Sequence, residues 1–226
     1  LLADLASADE ATRLRAAYKL GSTGVGVVPE LLASLRYQAT EAVEHIEDKT
    51  PANAHGTNPT ALHAAQALIA VGVAAVPQLV EALTDDHWLV RASLVDVLAN
   101  LGPRASAAVP ALQERLRDDH WWVRRGAAEA LGRMAADGSV PLLVERLRDE
   151  DRRVRRMASL ALAQIGRCVD GAVEALREVM EDEDRYNRFY AGLALRRLDN
   201  EEAKELLIDA LFTARWCPVT TTESRY

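Results

Sequence analysis

Aromatic residues make up only 5% of this 226-residue chain, and cysteines number two. Cys168 and Cys217 lie far apart and show no metal-ligand spacing. That excludes a disulfide framework and a cysteine zinc site, and it fits a reducing compartment. No run of 18 apolar residues occurs, so no membrane span is expected. No secretory signal is recognisable, and a cytoplasmic location is expected. A Gly-rich phosphate loop and a nucleophile–base pair are both missing, so no cofactor is implied. The net charge of −7 argues against a nucleic-acid footprint over the whole surface, although a local basic stripe remains compatible with it.

What is present is repetition. The segment Asp85-Asp86-His87-Trp88-Leu89-Val90-Arg91 returns 33 residues later as Asp118-Asp119-His120-Trp121-Trp122-Val123-Arg124. It returns more loosely as Asp149-Glu150-Asp151-Arg152-Arg153-Val154-Arg155 and as Asp182-Glu183-Asp184-Arg185-Tyr186-Asn187-Arg188. A repeat of this length with helical spacing inside each unit predicts an all-α solenoid, an α-α superhelix. Each unit reads as a first helix, a short acidic turn, a second helix and a Gly-containing break.

The expected pairs are Val28–Arg36 with Thr60–Val71, Val76–Leu83 with Trp88–Leu101, Ala107–Leu116 with Trp121–Met134, Val140–Leu147 with Arg153–Ile165, and Gly171–Met180 with Tyr186–Leu198. Leu1–Ser7 reads as a truncated first helix before Glu10–Leu20. Residues 37–59 form an irregular insertion, helical in pattern at first and then rich in Pro, Gly and Asn. Glu201–Arg215 is an unpaired last helix, and 216–226 leaves the pattern. Residues 1–215 are therefore expected to form one repeat domain of about six to seven repeats. Trp216 of the tail is expected to cap the exposed core or to dock a partner. The second helices bury a stripe such as Val123, Gly126, Ala127, Ala130, Leu131 and Met134, with i, i+3, i+4, i+7 spacing.

Ala108-Val109-Pro110-Ala111-Leu112, followed by Val123-Arg124-Arg125-Gly126-Ala127-Ala128-Glu129-Ala130-Leu131-Gly132, resembles HEAT-like repeats of the phycobilisome-lyase type. The likeness is good over residues 60–200 and weaker over the first 36. It implies a right-handed superhelix with the second helices on the concave side, and Asp and Arg residues that link adjacent repeats. Members of that family include bilin-lyase subunits and assembly scaffolds, so fold alone does not give function.

Several residues are candidates for more than packing. Asp86, Asp119 and Glu150 lie near starts of second helices, where a carboxylate would cap free N–H groups. His87 and His120 occupy equivalent positions, read as polar helix starts too far apart for one metal. His45, His55 and His63 fall in or after the insertion near Glu41, Glu44, Glu47 and Asp48. HEAT-like oxygenases use paired His-Glu motifs, no His-Glu dipeptide occurs here, and no metal is expected.

On the expected concave face, each second helix contributes a ridge. The ridges are Leu89, Ala92, Asp96 and Asn100; Trp122, Arg125, Glu129 and Arg133; Arg153, Arg156, Leu160 and Gln164; and Tyr186, Phe189, Leu193 and Arg197. Together they gather Trp122, Arg125, Arg153, Arg156, Tyr186 and Phe189, the residue types enriched at binding hot spots. The bland alternative is a solvated charged face.

The leading expectation is a module that binds a partner protein, or an anionic or carrier-bound group, within a heteromeric complex, with no nucleic acid and no membrane. The alternative is a subunit of a heteromeric lyase or cyclase-type enzyme, with Asp96 or Glu129 as base. A more remote alternative is a DNA-binding HEAT-like glycosylase.

Overall fold

The computed structural model describes residues 1–7, 9–46, 62–167, 171–198 and 205. Among them there are eleven α-helices, short 3-10 turns and no strand. The chain is an all-α solenoid of stacked helix pairs, divided into two compact units, Leu1–Arg115 and Leu116–Tyr226.

The first unit holds α1 (Glu10–Gly21), α2 (Val28–Ile46), α3 (His63–Val71), α4 (Val76–Ala82), α5 (Trp88–Leu101) and α6 (Val109–Arg115). The second holds α7 (Trp121–Arg133), α8 (Val140–Arg146), α9 (Arg152–Ile165), α10 (Ala172–Met180) and α11 (Arg185–Arg197). Boundaries agree with the pattern to within two residues for most elements. Leu1–Ser7 differs, holding only the 3-10 turn Ala3–Ala6. The helical pattern after Tyr37 is realised as a continuation of α2, which runs unbroken for 19 residues. The remainder of the insertion, the helix expected at 201–215 apart from residue 205, Cys168 and the tail with Trp216 and Cys217 lie outside the described residues.

Proline and glycine set the element boundaries. Pro77 and Pro141 stand in the first turns of α4 and α8, where a missing N–H removes no helical bond. Gly72 at φ +82° and Gly102 at φ +58° end α3 and α5 in conformations that a side chain disfavours. By length and composition alone, His63–Ala82 could cross a membrane, with 20 residues at a mean hydropathy of 1.5. It is not one α-helix, because Gly72 separates α3 from a 3-10 turn and α4. Its Ala64, Ala67, Leu68 and Leu79 are buried in the first unit.

Small residues let helices approach closely. A Cβ at Gly132 would fall 2.8 Å from the Cα of Ala161, so α7 and α9 pack nearly backbone to backbone. In the second unit α7 packs on α9 and α9 on α11, and Val123, Leu131, Val154, Leu162 and Leu195 fill the seam with no exposure.

The repeated acidic segment has a definite physical job. In each repeat its first aspartate accepts the backbone N–H two residues on: Asp85 from His87 at 2.9 Å, Asp118 from His120 at 3.0 Å, Asp149 from Asp151 at 3.0 Å and Asp182 from Asp184 at 2.8 Å. The arginine six residues after that aspartate returns to the same turn. Arg124 donates to the carbonyls of Asp118 and Asp119, and Arg155 to those of Asp149 and Glu150, as Arg91 and Arg188 do in their own repeats.

The same guanidiniums then reach the next repeat. Arg124 grips Asp149 through two bonds of 2.9 Å, with side chains 7% and 3% exposed. Arg155 donates to Asp182 at 2.6 Å. This is the link between adjacent repeats that the family resemblance implied. The capping expectation needs correction. Asp86, Asp119 and Glu150 are not the N-caps; the next residue is. His87 and His120 accept through Nδ1 from Leu89 and Trp122 at 3.2 Å, and Asp151 and Asp184 accept from Arg153 and Tyr186 at 2.8 Å. The preceding aspartate fixes that cap by its turn, and the acidic residue in between presents its carbonyl to the arginine of its own repeat.

Hydrogen bonding and charge shape the pKa values along this seam. The side-chain bond to Asp149 raises Arg124, and the bond to Asp182 raises Arg155. Burial pushes Asp182 up, but bonds from Arg155, Asn187 and the Asp184 backbone outweigh it, and the carboxyl ends below its ordinary value.

Candidate functional site

The six residues gathered by the sequence all lie in the second unit, at matched positions of α7, α9 and α11. Trp122, Arg153 and Tyr186 are each two residues past a cap; Arg125, Arg156 and Phe189 are each five past it. The two rows are three residues apart, close to one helical turn, so they share one side of each helix, away from the buried stripe.

The caps fix where this face begins, because each cap orients the first turn that carries it. Trp121 and Trp122 pack at 4.7 Å between ring centroids. The Arg153 guanidinium of α9 lies 3.2 Å over the Trp121 ring, and Arg125 lies 5.9 Å from the Trp122 centroid. On α11, Tyr186 is flanked by two guanidiniums, Arg156 at 4.6 Å and Arg185 at 4.9 Å. Guanidinium-over-ring contacts of this kind each contribute about 0.5–1 kcal/mol at exposed sites. Tyr186 and Phe189 remain 41% and 38% exposed.

The arginines are not bare. Arg153 is held by Asp151 through Nε and NH2 at 3.0 and 2.7 Å. Burial pushes Asp151 up, and the bonds from the side chain and backbone of Arg153 bring it below its usual value. Arg156 meets Asp184 at 3.0 Å, with Arg152 also 3.6 Å from that carboxylate. Arg125 and Arg133 both pair with Glu129, at 3.4 and 2.8 Å. Among the described residues the face therefore holds more guanidiniums than carboxylates, in a chain whose net charge is −7.

Four elements of this face were not foreseen: Trp121, Arg152, Arg185 and the cap Asp184. The signal was in the sequence. Residues four apart share a helix face, so Trp121 goes with Arg125, Arg152 with Arg156, and Arg185 with Phe189. The ridge expected on α5 needs correction. Leu89 and Ala92 are 0% and 2% exposed, so two of its four members belong to the core, while Asn100 is exposed and donates to the Asp96 carbonyl at 2.8 Å.

The two candidate bases are placed differently. Asp96 lies on α5 of the first unit and is half-buried. Glu129, on α7 of the second, has each carboxylate oxygen against a guanidinium, which gives it a bridging role on this face. An open depression of about 350 Å³ over the seam is lined by four arginines, Arg117, Arg124, Arg146 and Arg148, and four carboxylates, Asp118, Glu145, Asp149 and Glu150. Its charges balance, so it offers no net attraction to an ion. Among the described residues no group of three or more His, Cys, Asp or Glu could hold a metal. His63 opens α3 and accepts from Arg13 at 3.3 Å.

The model of the HEAT repeats family matches residues 54–132, 76–164, 109–182 and 140–217. No curated protein matches the chain. Among solved structures, an engineered protein of a structural genomics consortium is 23% identical with a TM-score of 0.53, over 91% of this chain and 95% of that one. A designed armadillo repeat protein in complex with the peptide (KR)4 is 18% identical with a TM-score of 0.52, over 88% and 98%. The complex of CpcE and CpcF of phycocyanin lyase from Nostoc sp. PCC7120 is 25% identical with a TM-score of 0.58, over 75% and 98%.

Proposed function

The chain belongs to the HEAT-repeat family, and we propose that it is a protein-interaction module that binds its partner through the open face of α7, α9 and α11. One observation carries this reading. Aromatic rings and guanidiniums alternate across three stacked helices at matched positions, with Tyr186 and Phe189 left 41% and 38% exposed. Rings held between guanidiniums are ordered before a partner arrives, which lowers the entropy lost on binding. Trp, Tyr and Arg are also the side chains that dominate interface energetics. The fold neighbours fit such a role, since two of them are named as complexes with a peptide or a second chain.

The test is affinity capture with the full chain from its native host, run beside two variants. Arg125→Glu with Arg156→Glu, and separately Tyr186→Ser with Phe189→Ser, are expected to lose a partner that the parent retains stoichiometrically, with unchanged helical circular dichroism. Retention of the same partners by both folded variants sinks the reading.

A second reading is favoured by the likeness to the lyase complex, which spans 98% of that chain. The protein would be a non-identical subunit of a lyase or cyclase-type enzyme, with an anionic substrate on the same face. Both carboxylate oxygens of Glu129 already face arginines, so this reading ranks second. Glu129→Gln or Asp96→Asn would then abolish turnover of the assembled pair without releasing the partner.

A further inference from the structure

We infer that this face takes an acidic polyproline-type segment of a partner protein, with two carboxylates three residues apart. The inference rests on the interaction reading above and adds the chemistry of what is bound.

The argument begins with charge. Two clusters on the face each hold more guanidiniums than carboxylates among the described residues. On α7, Arg125 and Arg133 share Glu129, with Trp122 beside Arg125. At the junction of α9 and α11, Arg156 and Arg185 flank Tyr186, and of the two only Arg156 is paired with a carboxylate among the described residues, Asp184. Among the described residues each cluster is left with positive charge in excess. Two separate positive clusters call for two separate carboxylates. A polyphosphate backbone, with a charge at every unit, would meet too few cations on this face to bind well.

Spacing then selects the conformation. Arg125 and Arg156 hold the same position on α7 and α9, which pack on each other. Packed helices lie about 8–10 Å apart. A β-strand covers that distance in three residues, but its side chains alternate, so residues three apart point to opposite sides. A polyproline II segment has three residues per turn and rises about 3.1 Å per residue. Its residues three apart therefore point the same way, about 9 Å apart. Such a segment is already extended before binding, and its proline rings would lie against Trp122 and Tyr186 between the two ion contacts, as apolar rings do in other polyproline recognition sites.

The test uses fluorescence anisotropy with the full chain and three labelled peptides of equal length: Glu-Pro-Pro-Glu-Pro-Pro, Glu-Glu-Pro-Pro-Pro-Pro and Lys-Pro-Pro-Lys-Pro-Pro. The first is expected to bind about tenfold more tightly than the second, the size of one charge-assisted contact, and the third not at all. Arg125→Gln and Arg156→Gln should each weaken the first peptide by about tenfold and leave the second little changed. Equal affinity for the first two peptides overturns the spacing. Tighter binding of the lysine peptide, or of a single-stranded oligonucleotide, overturns the charge argument. If every peptide fails while partner capture still depends on Arg125 and Arg156, the interaction reading stands and this chemistry falls. Partner capture indifferent to both arginines removes the two together.

Discussion

Arg124 and Arg125 are neighbours on α7, and Arg155 and Arg156 are neighbours on α9, yet the members of each pair serve different regions. The first of each pair belongs to the seam between repeats. Arg124 is 7% exposed and closes on Asp149, and Arg155 is 17% exposed and closes on Asp182. The second of each pair stands on the open face at 32% and 26% exposure, beside a ring. A rotation of about 100° between successive helical residues is all that separates the two roles. The seam arginines have carbonyl and carboxylate partners that only the repeat geometry supplies. The face arginines share their carboxylates with others. One region spends its charge inside the fold, and the other keeps a surplus outward.

The largest expected effect tests that division directly. Arg124→Ala leaves Asp149, buried at 3% exposure, with only the longer 3.5 Å contact of Arg146 in place of its two 2.9 Å bonds. Removing one partner of a buried pair costs about 3–5 kcal/mol. Arg125→Ala, one residue on, breaks a half-exposed contact with Glu129, and such pairs contribute about 0–1 kcal/mol. Chemical denaturation of both variants measures the difference. Equal losses would show that seam and face are one cooperative network, and the comparison would fail.

A middle-sized effect comes from pH. The Asp182 carboxyl lies below its ordinary value because Arg155, Asn187 and a backbone N–H outweigh the push of burial. A carboxyl depressed in the fold stabilises it above the unfolded value, near 3.9, and that stability is lost as pH falls through the lower folded value. The parent should therefore lose melting temperature between about pH 5 and pH 3 more steeply than Asp182→Asn, which starts lower at pH 7. The two curves should converge in acid. Parallel curves would mean that Asp182 contributes to the seam by packing rather than charge.

Much of this was legible in the sequence because repetition makes a pattern visible. The 33-residue return gave the helix pairs, and α5 was bounded correctly as Trp88–Leu101. The six face residues were found from helical spacing and do share one side of α7, α9 and α11. Two kinds of fact were not legible. Leu89 and Trp122 hold the same register, and spacing alone assigned both to the open face, although Leu89 is fully buried. An apolar residue in an exposed register usually means that something covers it, and its identity was the better guide. The caps were misplaced by one residue because aspartate can serve either as the cap or as the turn acceptor before it. The sequence offers both in a row, and only the backbone shows which N–H each one meets. The arginine pairings with Glu129, Asp151 and Asp184 depend on side-chain reach and were not readable from spacing.

The smallest expected effect concerns those caps and sharpens the comparison within the second unit. Three helices carry the face, and two are capped by aspartate, Asp151 on α9 and Asp184 on α11. The third, α7, is capped by His120, whose Nδ1 accepts from Trp122 at 3.2 Å against 2.8 Å for both aspartates. Aspartate is among the best cap residues, and its charge also meets the positive helix end favourably. His120→Asp should therefore raise stability by about 0.5 kcal/mol. It should also leave the Trp121–Trp122 pair in place, since the cap bond and not the imidazole sets the first turn. Against this stands the imidazole's own contact, which stacks on Trp121 at 6.0 Å. If the variant is instead less stable, that ring contact outweighs the better cap, and His120 belongs to the face rather than only to the helix start. Tryptophan fluorescence of the same variant separates the cases. An unchanged spectrum accompanies a cap-only role, and a shift to longer wavelength accompanies loss of the ring that covers Trp121.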